Sequence, residues 1–99
     1  MKFKIYSIYF NADKKLLDFV NRKVSKLSIY DEKMISGDVY LRLDKADSHS
    51  NKIVEIKINN PGLDMFAKKQ SGSFEEATDL AVDAIRKQIK KYKGKKRNK

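Results

Sequence analysis

Residues 38–59, DVYLRLDKADSHSNKIVEIKIN, contain two runs of alternating apolar and polar residues around a polar loop. In an extended chain, successive side chains point to opposite faces. Val39, Leu41 and Leu43 therefore share one face of the first run, 38–44, and Asp38, Tyr40, Arg42 and Asp44 share the other. Val54, Ile56 and Ile58 form the apolar face of the second run, 52–59. Residues 45–51 between them are short and polar, as a hairpin loop should be. Asn60-Pro61-Gly62 signals another turn. Beyond it, 63–69 alternates again, with Leu63, Met65 and Ala67 on one side. Three strands joined by short loops predict an antiparallel meander. Residues 31–37 ahead of it, DEKMISG, read as a loop turning at Ser36-Gly37.

Outside the meander, the N-terminal residues 2–10, KFKIYSIYF, are β-branched and aromatic and predict a strand. Phe3 and Ile5 share a face with Ser7 and Tyr9; Lys2, Lys4, Tyr6 and Ile8 share the other. The period then changes. From Asn11 to Tyr30, Leu16, Val20, Val24 and Leu27 recur at helical spacing, with Leu17 alongside. Asn11 or Asp13 supplies the N-cap. At about 100° per residue, Lys15, Arg22, Lys23 and Lys26 fall along one flank of the apolar stripe. Asp18, Asn21 and Ser25 fall on the far side.

Ser73-Phe74-Glu75-Glu76 has the form of a capping box. It predicts a second helix running to about Tyr92. Its apolar face is Phe74, Ala77, Ala81, Ile85, Ile89 and Tyr92, with Leu80, Val82 and Ala84 at the margins. Gly94 is the expected stop, and 95–99 is expected to be a disordered basic tail after one domain over 1–94. The order is β-α-β-β-β-α. A two-layer α+β sandwich, a four-stranded sheet with both helices on one face, buries every apolar stripe named so far.

Charge is distributed unevenly along this chain. The net charge is +10, yet residues 1–84 hold fourteen Lys or Arg against thirteen acids. Residues 85–99 hold nine Lys or Arg and no acid. The last helix starts with Glu75, Glu76, Asp79 and Asp83 and ends with Arg86, Lys87, Lys90, Lys91 and Lys93. Acids at a helix start and bases at its end suit the macrodipole, but that effect fades within a turn. Five bases on the helix and four beyond exceed it, and they repel one another unless a polyanion is nearby. Phosphate binding, which releases counterions, is the simplest use for them.

Other chemistry has little to draw on. Without Cys there are no disulfides or thiolate metal sites. The one imidazole, His49, stands in a polar loop with Asp44 and Asp47 but without a regular ligand pattern. Gly37, Gly62, Gly72 and Gly94 are scattered, so there is no phosphate-cradling loop. No base is placed to activate a Ser, Thr or Lys nucleophile. The chain therefore reads as a non-enzyme with no metal, no cofactor and no small-molecule substrate. With no apolar run near the roughly 20 residues of a membrane span, no signal-peptide pattern and no membrane partner, a cytoplasmic location is expected. No helix-turn-helix, zinc finger or basic zipper is present. Strand 52–59 lacks the aromatics of an RRM. The meander followed by a helix resembles the double-stranded RNA-binding fold with an extra strand at the front.

Three stretches carry a closer likeness: the first strand leading into residues 13–27, DKKLLDFVNRKVSKL; Pro61-Gly62-Leu63 through Ala67; and residues 73–93, SFEEATDLAVDAIRKQIKKYK. The last combines an aromatic residue, Phe74, with Ala77-Thr78-Asp79 and a basic helix interrupted by Gln88. Taken in order, they resemble the short form of the ribosome hibernation-promoting factors and ribosome-associated inhibitors, the sigma-54 modulation protein family. That resemblance implies a factor that binds the small ribosomal subunit in the channel for mRNA and tRNA, stops translation and preserves idle ribosomes in slow growth or stress. It implies rRNA contact through Lys23 and Lys26 on the first helix and Lys87 and Lys91 on the second. Arg22, Arg86 and Lys90 join them from the helical arithmetic. Ala84, Phe74 and Thr78 depart from the residues common in the family, Lys, Tyr and Ile. The chain stops before the C-terminal domain of long forms, and a monomer is expected when free. A general RNA-binding protein or RNA chaperone is the alternative reading.

Overall fold

The structure is a computed structural model that describes residues 3–29, 36–45, 50–60 and 63–97; of residues 60, 63, 64 and 93–97 only the backbone is described. Its elements are β1 (Phe3–Ser7), α1 (Lys14–Ser25) with a 3₁₀ turn (Lys26–Ile29), β2 (Gly37–Leu43), β3 (Lys52–Asn60), β4 (Leu63–Ser71) and α2 (Phe74–Arg97). The order is the one expected from the sequence, β-α-β-β-β-α. The sheet order is β1-β2-β3-β4.

Register explains the core. β2 and β3 pair antiparallel with Val39 opposite Ile56 and Leu41 opposite Val54. β3 and β4 pair antiparallel with Ile56 opposite Ala67 and Ile58 opposite Met65. These alternate residues all lie on one face, and all are buried. β1 is parallel to β2, with Ile5 opposite Val39. Two parallel neighbours need a long crossover, which α1 supplies. α1 contributes Val20, Val24 and Leu27 to the core, and α2 contributes Ala77, Ala81, Ile85 and Ile89. Burying one such Ile or Leu side chain contributes about 1.5–3 kcal/mol.

The structure corrects the sequence reading at several points: β1, expected over 2–10, ends at Ser7, and Tyr9 leaves the strand with a φ of 63°. Gly37 is the first residue of β2, paired with Phe3 and Ile58, and not a turn residue. A Cβ there would lie 2.1 Å from the Lys57 carbonyl oxygen, so close strand approach selects the glycine. Leu43, inward by alternation, is 46% exposed because it ends its strand. α2 continues through Gly94 to Arg97, so 95–97 extend the helix where a disordered tail was expected. A glycine inside a helix costs only about 1 kcal/mol, and cations near the C-terminus interact well with the dipole. Thr78, left off the apolar face in the sequence reading, is fully buried; its hydroxyl donates to the Phe74 carbonyl at 2.7 Å, so no polar atom is stranded. Asp47 and His49 lie outside the described residues, as do Pro61, Gly62, Asn98 and Lys99.

Candidate nucleic-acid interface

The cations of both helices are oriented by what lies beneath them. Asp13 decides where α1 begins: its extended backbone leaves the helix, and its Oδ1 accepts from the Leu16 amide at 2.8 Å. With Val20, Val24 and Leu27 turned into the core, Lys15, Arg22 and Lys26 are exposed and Lys23 is half-buried. Phe19 is packed against the core, and the sequence reading missed it. The Arg22 guanidinium and the Lys23 ammonium each lie 5.4 Å from the centre of its ring, as cation–π contacts. Its place four residues before Lys23 was the available signal.

Ser73 caps the start of α2, its hydroxyl accepting from the Glu76 amide at 3.1 Å. The Glu76 carboxylate accepts from the Ser71 hydroxyl, which binds the helix start to the end of β4. Further along, Ile85 and Ile89 are buried and hold the rotation of the helix. Lys87, Lys90 and Lys91 are exposed, and Arg86 is half-buried.

The structure divides these cations into groups. Lys23 reaches across the helix seam to Asp79, Nζ to Oδ1 3.2 Å. At about 100° per residue, Arg86 and Lys90 fall on the flank of α2 that carries Asp79, toward α1. Lys87 and Lys91 fall on the flank of Gln88, whose Nε2 donates to the Phe66 carbonyl of β4 at 2.9 Å. The first group, with Arg22, Lys23 and Lys26, borders the helix seam. The second overlooks the β4 side of the helix layer.

Asp83 sits between the groups. Its carboxylate pairs with Arg86, and with Lys87 Nζ at 3.2 Å. The hydrogen bond from Arg86, then that from Lys87, holds its carboxyl below the usual carboxylate range. The charge offered to a polyanion by Arg86 and Lys87 is thus partly offset. The chemistry available is phosphate binding by ammonium and guanidinium groups on a stiff helical frame. Among the described residues no cluster of three His, Asp or Glu side chains could hold a metal ion. Among them, no helix is long and apolar enough to cross a membrane.

The sequence profile of the sigma 54 modulation protein / S30EA ribosomal protein family matches residues 3–97. The chain belongs to that family. The match spans every element from β1 to α2. The family is ribosome-associated. Two solved structures share the fold. One is a ribosomal subunit interface protein from Coxiella burnetii, with TM-score 0.81 and 20% identity, covering 95% of this chain and 99% of that one. The other is the N-terminal domain of Protein Y from Thermus thermophilus, with TM-score 0.74 and 22% identity, covering 89% of this chain and 93% of that one. At such identities the likeness establishes the backbone arrangement of the family member. The roles of its side chains must be argued from its own residues.

Proposed function

We propose that this protein binds the small ribosomal subunit in the mRNA/tRNA channel, inhibits translation and preserves idle ribosomes during slow growth or stress. It acts without catalysis, as a cytoplasmic protein that is monomeric when free. Arg22, Lys23 and Lys26 of α1 and Arg86, Lys87, Lys90 and Lys91 of α2 contact rRNA phosphates.

One observation carries the reading. Residues 1–84 are nearly balanced in charge, and the excess is concentrated at the end of a helix whose rotation is held by Ile85 and Ile89. A rigid array of cations loses less conformational freedom on binding than a loose tail. Phosphate contacts of this kind bind through counterion release. Family membership supplies the ribosome as the polyanion.

Co-sedimentation tests it. The protein should pellet with purified small subunits in preference to large subunits and to bulk rRNA, and should reduce translation in a purified system. Equal retention by all three RNAs would instead identify a general RNA-binding protein or chaperone.

A further inference from the structure

The sheet face turned away from the helices carries chemistry that the helical cations do not use. The register sets its outward residues in cross-strand rows. One row runs Lys4, Asp38, Lys57, Phe66; the next Tyr6, Tyr40, Glu55, Lys68; the third Arg42, Ile53, Gln70. The Tyr6 and Tyr40 rings are stacked, centroids 5.2 Å apart and 16° from parallel. Tyr6 remains 40% exposed. Beside the third row lies a depression of about 400 Å³, with apolar walls from Ile8, Leu43 and Ile53 and with Tyr9 at its margin.

Two features of this depression are not explained by packing. Tyr9 is fully exposed and has φ of 63°. A bulky residue rarely adopts that left-handed backbone, and here no burial of the ring compensates. Arg42 gives one terminal nitrogen to Glu55, while its Nε is buried without a partner among the described residues. Buried donors are seldom left so. Lys45 and Lys68 also line the depression. Arg42 is paired with Glu55, and Asp44 keeps its charge while accepting from Gln70 Nε2 at 2.9 Å, so with Lys45 and Lys68 the five charged groups leave a balance of about one positive charge. The local charge therefore favours an anion, and the exposed rings favour a flat apolar one.

We propose that this outer face binds unpaired nucleotides of single-stranded RNA. One base sits in the depression against Tyr9 and Ile53, and a neighbouring base stacks on the Tyr6–Tyr40 pair. Arg42, Lys45 and Lys68 meet the phosphates. Adjacent rows on one face are about 7 Å apart, so a ligand serving both is a strand and not a mononucleotide. Base stacking on exposed rings between cations is sequence-tolerant. The surface lies across the sheet from the helices, so it stands independently of the ribosome reading.

The test is anisotropy of a labelled, unstructured RNA of about eight nucleotides, within the usual site size, with the full chain. Tyr6→Ala with Tyr9→Ala should weaken binding at least tenfold, since losing each stacked base costs about fivefold or more. Tyr9→Phe should keep it. Lys45→Gln with Lys68→Gln, on exposed side chains that folding does not need, should weaken binding and flatten its salt dependence. Methyl resonances of Ile8, Leu43 and Ile53 should shift on titration. The proposal is overturned if the tyrosine and lysine variants both bind within twofold of the parent, or if shifts are confined to the helices. Equal affinity for duplex RNA, for a mononucleotide or for poly-glutamate overturns it as well.

Discussion

Lys23 of α1 and Asp79 of α2 meet at 3.2 Å across the seam between the helices. One of the cations assigned to rRNA is thus already engaged by an acid of this chain. The pair is partly exposed, and such pairs contribute less than about 1 kcal/mol. Its larger effect is on the field at the seam. Asp79→Asn should leave the melting temperature nearly unchanged and tighten binding to small subunits, since Lys23 becomes available and a repelling carboxylate is lost. Weaker binding by this variant would mean that the ion pair orients Lys23 for contact.

Asp83 plays a similar part further along α2. Arg86 and then Lys87 hold its carboxyl below the ordinary range. A lowered folded pKa contributes stability that is present above the unfolded value and is lost as pH falls through the folded one. In Arg86→Gln/Lys87→Gln the Asp83 carboxyl should titrate in the ordinary range. The stability difference between parent and variant should be present at neutral pH and vanish below the folded pKa of the parent. Carbon-detected NMR of the carboxyl and denaturation at several pH values check both.

The two flanks of α2 make separate predictions. Lys87→Glu with Lys91→Glu should weaken small-subunit binding severely, because attraction to phosphate becomes repulsion. Arg86→Glu with Lys90→Glu should do so as well if the seam with α1 faces rRNA. The neutral versions, with Gln, should each reduce the slope of log affinity against log salt by about 0.7–0.9 per lost contact. A flank whose reversal changes nothing at moderate salt lies outside the interface.

Gly37 tests the sheet. Its missing Cβ would meet backbone atoms, the Lys57 oxygen at 2.1 Å and the Ile58 Cα at 3.2 Å. Backbone cannot rotate aside as a side-chain tip can. Gly37→Ala should therefore destabilise the fold by about 1–3 kcal/mol or more, measured as a lower denaturation midpoint.

Ile85 links packing to binding. It is fully buried one residue before Arg86. Ile85→Ala should cost about 2–5 kcal/mol of stability. Under conditions where the variant remains folded, loosening the rotation of α2 should also weaken ribosome binding, although no cation has changed.

Local pattern specified a large part of this protein. Alternation in 38–44 and 52–59 placed Val39, Leu41, Val54, Ile56 and Ile58 in the core, where all five are buried. The i+4 and i+3 spacing of Val20, Val24 and Leu27 did the same for α1. Such patterns are legible because an element's period and its apolar face belong to the chain itself. Even the cap residues Asp13 and Ser73 were marked by their side chains. Gly94 misled because a glycine weakens a helix without being able to end it when the neighbouring residues favour continuation.

Relations between elements could not be read in that way. That β1 lies parallel to β2, that Gly37 must admit the Lys57 carbonyl, and that Tyr6 stacks on Tyr40 all depend on strand neighbours far apart in sequence. The helical cations show the same division. The sequence by itself determined which residues carry the positive charge and which way each faces on its own helix. Only the tertiary structure decided that Lys23 is paired with Asp79, that Asp83 tempers Arg86 and Lys87, and that one flank of α2 borders α1 while the other overlooks β4. The physical reason is range: side-chain periodicity is set within a few residues, whereas a charge's effective field is set by whatever the fold brings beside it.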